Sequence, residues 1–278
     1  MKKIFVLAAI AAIVPACALA QGGAPKPGNW TGFYAGVNAG GVIGVSNAKT
    51  ASVYSSTGYF QTTSVPAVNS TGNQNPNPDG EAGGAQFGYN WQIAPRWVLG
   101  AEADFGAFET NGSASGTTVY PCCSPYTFTI AQVVSTHWLT TVRPRLGYTV
   151  GTRSLLFVSG GAAETLLHYS SLFTDTDTSA NESASTSVLK TGWTAGAGWE
   201  YALSNHWSAR AEYLYTGFGT VSNAGTVFTI IESEEETVRP AASIHTEAGT
   251  TYTFPTTTFT HTANLNSNIF RIAANFRF

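Results

Sequence analysis

Residues 264–278 read NLNSNIFRIAANFRF. From Asn268 onward one alternate set, Phe270, Ile272, Ala274, Phe276 and Phe278, is apolar throughout. The other, Ile269, Arg271, Ala273, Asn275 and Arg277, is mostly polar or small. A side-chain period of two with one apolar and one polar face describes a β-strand that separates two environments. In a soluble sheet a strand ending this way, on an aromatic residue, would be an adhesive edge. In an outer-membrane barrel it is the strand that closes the ring. The second reading predicts seven more segments of the same kind.

Composition agrees with that expectation. Only 10% of residues are Asp, Glu, Lys or Arg, where ordinary soluble proteins carry about 25%. The mean hydropathy is nevertheless +0.00, because Thr, Ser, Gly and aromatic residues replace the missing charge. That mixture suits thin alternating strands and does not build helical bundles. After the first twenty residues no apolar run approaches the roughly 18 residues of a spanning helix. The N-terminus itself reads as a signal peptide over 1–20: Lys2 and Lys3, an apolar core, then Ala18-Leu19-Ala20 before Gln21. A competing reading makes Cys17 a lipidated first residue. Export, and a Pro/Gly-rich periplasmic lead-in over 21–29, follow from the first reading.

The barrel then occupies 30–278. Strand segments begin at Trp30 (WTGFYAGVNAGG), at Glu81 (EAGGAQFGYNWQI) and at Trp97, and again at His137, Ser154, Val188, Trp207 and Asn264. Between them, four long polar stretches, 45–80, 109–132, 168–187 and 220–263, alternate with three very short turns. Eight antiparallel strands, long loops on one side and tight turns on the other match an all-β, up-and-down transmembrane barrel; a hairpin within the fourth loop would make ten strands. Aromatic residues bracket the turns. Trp30, Trp91, Trp97, Tyr148, Tyr201, Trp207 and Phe276 are expected to form the periplasmic girdle, with amphipathic rings at headgroup level. The segment from Ser154 has apolar or small residues on both faces, so its orientation stays open.

The chain resembles a known family through its opening W-x-G-x-Y-x-G, through WSARAEYLYTGFG at 207–219 and through the closing NIFRIAANFRF. It is similar to the small eight-stranded outer-membrane proteins of Gram-negative bacteria of the porin-family or outer-membrane immunogenic type, related to the outer-membrane protein A barrel. The resemblance implies a bacterial outer-membrane location and a terminal Phe278 read by the barrel-assembly machinery. It also implies outer-membrane lipid and lipopolysaccharide as surroundings, and a surface or envelope-integrity role. It implies no single activity.

The inward-facing charges are Glu102, Asp104, Arg143, Arg145, Lys190, Glu200, Arg210, Glu212 and Arg271, four acids and five bases. An eight-stranded barrel has an interior that side chains just fill, so these are expected to pair into a plug. An alternative is a narrow small-solute pore, and a third is a surface module whose long loops bind a host, haem-like or carbohydrate ligand. Enzymatic readings are weaker. His206-Trp207-Ser208, with Glu212 nearby, has an H-x-S spacing of the kind found in lipid A deacylases, but it falls at a short turn. The five histidines are scattered, and the Gly-rich 194–198 lies in a strand, so no metal site, phosphate cradle or cofactor is indicated. Net charge −3 argues against nucleic acid. Cys122 and Cys123 are adjacent, with no metal-binding partners nearby, and are expected as a vicinal pair in an exposed loop of an oxidising compartment.

Overall fold

The alternation of the closing segment becomes a single strand, β9 (Thr251–Arg277), running nearly the whole height of the molecule. In the computed structural model, which describes residues 28–177, 180–231 and 251–278, β9 is the last of nine strands. The others are β1 (Gly32–Val45), β2 (Ala48–Ser52), β3 (Asp79–Gln92), β4 (Trp97–Val119), β5 (Thr127–Val150), β6 (Ser154–Asp175), β7 (Asn181–Ala202) and β8 (Trp207–Ile231). One helix, α1 (Ser64–Thr71), lies between β2 and β3.

Each strand from β3 to β9 pairs antiparallel with the next, β1 pairs with β3, and β9 returns to β1. The closing register runs from Tyr34 opposite Arg277 to Val45 opposite Asn266. β2 continues on the same partner, from Ala48 opposite Ala263 to Ser52 opposite Phe259. β1 and β2 are therefore one wall strand with a break at Ser46 and Asn47, and the ring has eight strands, as the sequence predicts.

The four stretches expected as loops require correction. β4 and β5 extend to Val119 and from Thr127, so most of 109–132 is strand; β6 and β7 likewise absorb most of 168–187. β8 continues to Ile231 and β9 starts at Thr251, inside the expected loop 220–263. The stretch 45–80 contains β2 and α1 and the start of β3. The physical reason lies in the facing. Near the turns the outward residues are apolar: Leu99, Val142, Leu146, Leu156, Val158 and Ile272 are all exposed. Farther up the same strands the outward residues are Asn111, Ser113, Ser115 and Thr117 on β4, and Ser183, Ser185 and Ser187 on β7. The inward ones there are Phe128, Ile130, Phe173 and Phe259. The alternation persists with its polarity reversed.

Irregularities mark the change. Register shifts occur at Ala107/Thr110 between β4 and β5, at Thr136/Leu139 between β5 and β6, and at Gly217/Thr220 between β8 and β9. At the last, Gly219 adopts φ +67°, a left-handed conformation that only glycine takes without strain. The inward set on β8 moves from Phe218 to Val221 across it. An outward aromatic band sits at this level, with Phe105 beside Trp138 (6.1 Å between rings) and Trp193 beside Tyr215 (5.1 Å). From Trp193 down to Tyr201 is roughly 27 Å of strand, or about 20 Å along the normal at a ~40° tilt. That is close to the ~25 Å apolar band of an outer-membrane barrel. The strands thus project well past the membrane.

The segment from 53 to 78 folds into the open end of the projection. Tyr59, Phe60 and Val68 are buried there with Phe128, Phe173, Phe228 and Phe259. Ala48 and Gln74 exchange backbone hydrogen bonds (2.8 and 2.9 Å), and Gln132 donates to the Gly72 carbonyl at 2.9 Å. The predicted signal peptide, Cys17, most of the lead-in and the acidic run at 232–236 lie outside the described residues.

Candidate functional site: the lumen

Three of the interior ion pairs follow directly from register. Glu102 lies opposite Arg143, Glu200 opposite Arg210, and Glu212 opposite Arg271. Because partners opposite each other on an antiparallel ladder share a face, each acid and its base project together into the lumen. Curvature of the ring then joins the pairs. Arg143 donates to Glu102 and Asp104 at 2.7 Å each, and across the lumen to Glu212 at 2.8 Å. Arg210 bridges Glu102 (2.6 Å) and Glu200 (3.2 Å), and Arg145 reaches Glu200 at 3.0 Å. Arg271 binds Glu212 at 2.8 Å and Asp104 at 3.2 Å.

Four carboxylates and four guanidiniums make a neutral, buried cluster. The Arg143 side chain has 0% exposure. Further hydrogen bonds support the cluster, although the Nε–H groups of Arg143, Arg145 and Arg210 find no acceptor among the described residues. Tyr34 donates to Glu102 at 2.6 Å and accepts from Arg145 at 3.0 Å. Thr141 donates to Asp104 (2.7 Å), while Ser208 and Asn275 donate to Glu200 (2.6 and 3.0 Å). Phe157 places its ring 4.1 Å from the Arg145 guanidinium and 5.1 Å from that of Arg210, a cation–π contact on each. This settles the facing of β6: Leu155 and Phe157 point in, Leu156 and Val158 out. Gly88 leaves the space that the Tyr34 phenol fills, since a Cβ there would collide with it.

Lys190 stands apart. Its ammonium donates to the Thr220 carbonyl at 2.5 Å, in the projecting part, and it has no ion pair among the described residues. The sequence places it on the inward set, but nine residues of β7 separate it from Glu200. Tyr34, Phe157 and Asn275 are members of the site that charge counting overlooks. Tyr34 and Asn275 stand on the inward sets of their strands, the signal by which they could be found; Phe157 had none, because both faces of β6 are apolar there.

Below the cluster the turn end is closed. Trp30, expected in the girdle, is instead 1% exposed and packs with Val98, Leu155 and Ala202. The residue follows a backbone that enters the lumen: its amide donates to the Gln92 side chain at 2.9 Å. Arg277 lies 4.9 Å over the Trp30 ring and donates to the carbonyls of Asn29, Ser204 and Asn205. The structure places Trp91, Trp97 and Trp207 outward and exposed. Trp97 meets Tyr148, Tyr201 meets Trp199, and Trp207 meets Phe276, with ring centroids 5.2, 5.9 and 5.2 Å apart. The Phe278 amide donates to the Phe33 carbonyl at 3.0 Å, which ties the last residue to the first strand.

Above the cluster an apolar layer crosses the lumen, with Val42, Phe108, Leu139, Leu214, Phe218 and Leu265 among its members. A polar island follows, in which His261 contacts Glu182 at 3.2 Å and Thr50 at 2.9 Å. The aromatic core with residues from 53–78 lies at the top. Within it Tyr59 and Tyr120 both donate to Asp175, at 2.7 and 2.6 Å. Burial, and then the Asp175 carboxylate, push the Tyr120 phenol well above its ordinary value.

No catalytic arrangement forms at His206-Trp207-Ser208. The His206 ring bonds the Arg277 carbonyl at 3.0 Å, whereas Ser208 turns into the lumen onto Glu200. Among the described residues no three of His, Cys, Asp and Glu gather to hold a metal ion. Cys122 and Cys123 form a disulfide between neighbours.

Residues 4–234 match the outer membrane protein β-barrel domain family. The chain is 35% identical over 191 residues to the 31 kDa outer-membrane immunogenic protein of Brucella melitensis biotype 1, an alignment covering 69% of this chain and 72% of that protein. The protein of the same description from Brucella suis biovar 1 aligns with the same figures. Among solved structures the fold is similar to the outer membrane protein OprG from Pseudomonas aeruginosa, at 9% identity and a TM-score of 0.40, covering 91% of this chain and 98% of that one. Ring closure, an outward apolar band, paired interior charges and this sequence match agree: the chain belongs to the outer membrane protein β-barrel domain family and resides in the bacterial outer membrane.

Proposed function

We propose that the protein is a non-conducting, non-catalytic structural component of the outer membrane that displays its projecting barrel at the cell surface. The observation that carries this reading is Arg143, fully buried and bound to three carboxylates that reach it from both sides of the lumen. A channel would need that cluster to open, and leaving any of its charges buried and unpaired costs several kcal/mol in effect. The closed turn end at Trp30 and the aromatic core at the other end support the same reading. The short turns lie in the periplasm and the hairpins outside, the arrangement usual for such barrels. Lipopolysaccharide then surrounds the outer aromatic band, and Phe278 serves as the signal to the barrel-assembly machinery. The relatives' description as immunogenic fits a Ser/Thr-rich projection accessible to antibodies.

Planar-bilayer recording of refolded protein tests the proposal. Wild type should show conductance near zero, and Arg143→Ala should leave it near zero, because Trp30 below the cluster and the apolar layers above it still close the lumen. A wild type that conducts freely, with Arg143→Ala altering only ion selectivity, would replace the structural reading with the small-solute pore.

A further inference from the structure

We propose that Cys122–Cys123 is a thiol-exchange site for low-molecular-weight extracellular thiols, reacting through Cys122. Its placement at the cell surface rests on the orientation proposed above; its chemistry does not.

The bond sits in the connection 120–126, at the tip of the β4–β5 hairpin. A disulfide stabilises a fold mainly by closing a loop in the unfolded chain, and the gain grows with loop length. Here the bonded residues are neighbours, with a sequence separation of 1. Almost nothing of the unfolded chain is constrained, so the bond is no staple for the barrel. The tip is held by other means. Tyr120 and Tyr126 pair through the backbone at 2.9 Å, Cys123 donates to the Tyr120 carbonyl at 3.1 Å, and the Tyr126 amide donates to the Cys123 carbonyl at 3.0 Å. The Tyr120 phenol is anchored on Asp175.

The two sulfurs occupy different surroundings. Cys123 is 8% exposed and belongs to the aromatic core with Tyr59, Phe60 and Phe128. Cys122 is exposed, and its sulfur lies 3.5 Å from the Ser64 hydroxyl at the start of α1. Exchange begins when a thiolate attacks one sulfur and expels the other, and access decides which sulfur is struck. An incoming thiolate RS⁻ therefore attacks Cys122 Sγ. The RS–S bond to Cys122 forms, the Cys122–Cys123 bond breaks, and Cys123 leaves as a thiolate that takes a proton from water. A second thiolate attacks the mixed disulfide and releases RSSR together with the Cys122 thiol. Two thiols are oxidised and one disulfide is reduced. Because Cys123 stays next to the adduct, its return attack competes with the second step, and the adduct does not accumulate in the wild type.

Single variants separate the two sulfurs. In Cys123→Ser the Cys122 thiolate attacks oxidised glutathione and expels reduced glutathione, and without a neighbouring thiol the adduct persists. In Cys122→Ser only the buried Cys123 is left. In purified, refolded protein, mass spectrometry should find glutathione on Cys122 at a rate about tenfold or more above that on Cys123, as exposure dictates. Wild type treated with reduced glutathione should yield both thiols, trapped by alkylation, with the barrel still resistant to unfolding in detergent. The Cys122→Ser/Cys123→Ser double variant should share that resistance. Equal or inverted labelling, a disulfide untouched by reduced glutathione, or a barrel that unfolds on reduction would each overturn the proposal. The same labelling on intact cells reads orientation alone: adduct in micelles but none on cells would leave the exchange chemistry standing and sink the topology.

Discussion

The lower and upper halves of the same strands solve opposite problems. Toward the turns, Leu146, Val158 and Ile272 face outward while Glu102, Arg143 and Arg210 fill the interior. Beyond the register shifts, Ser113, Ser185 and Thr260 face outward while Phe128, Phe173 and Phe259 fill the interior. One half is the other turned inside out. Lipid requires an apolar exterior and leaves polar groups no place but the lumen, where they must satisfy one another. Water reverses the requirement, and the upper half builds an ordinary hydrophobic core. The lesson is that a period of two reports a boundary between media, whereas the sign of the alternation reports which medium lies outside.

Substitutions that should be harmless in one half and damaging in the other put this comparison under strain. The largest effect is expected in the lower interior. Arg143→Ala leaves Glu102, Asp104 and Glu212 short of a buried partner and should lower stability by about 3–5 kcal/mol. Denaturant titration in lipid vesicles, followed by tryptophan fluorescence, measures it. A loss of about 1 kcal/mol or less would mean that water screens these charges.

Next comes the lower exterior. Val158 is 56% exposed, midway between the two aromatic bands, and Val158→Arg should destabilise by about 2–4 kcal/mol in the same titration. An insignificant change there would show that this face does not meet hydrocarbon.

In the upper interior, Tyr120→Phe removes a hydrogen bond to the buried Asp175 carboxylate and should cost about 1.5–3 kcal/mol. Since the folded phenol is raised above its ordinary value, folding favours the protonated form. That contribution is fully present below about pH 10, where the unfolded tyrosine titrates, and is lost as pH rises beyond it. Wild type should therefore lose stability faster than Tyr120→Phe between about pH 10 and 11; parallel curves would contradict the burial.

The smallest effect is the sharpest contrast with Val158→Arg. Ser185→Arg, outward on β7 in the upper half, should change stability by no more than about 0.5 kcal/mol. A penalty as large as that at Val158 would place the membrane higher than the aromatic band does.

Much of this was legible in the chain. The closing strand, the eightfold ring and the tight turns follow from alternation and register, which also give each inward charge its face but not the partners it meets across the lumen. The polar stretches misled because Ser and Thr outside with aromatics inside resemble loop composition when apolar faces are sought outward. Trp30 misled for a different reason: an aromatic at a strand entry suits a girdle and a plug equally, and only the path of the backbone chooses.

What the sequence determined by itself was which residues share a face, because side-chain period is a local property of the backbone. Which charges meet was decided by the tertiary structure. Arg143 reaches Glu212 from β5 to β8, and Arg271 reaches Asp104 from β9 to β4, contacts that exist only because the sheet closes and curves. Closure also carried 53–78 into the upper core and set Trp30 beneath Arg277. A strand pattern names the face that must be buried; the ring decides what stands across from it.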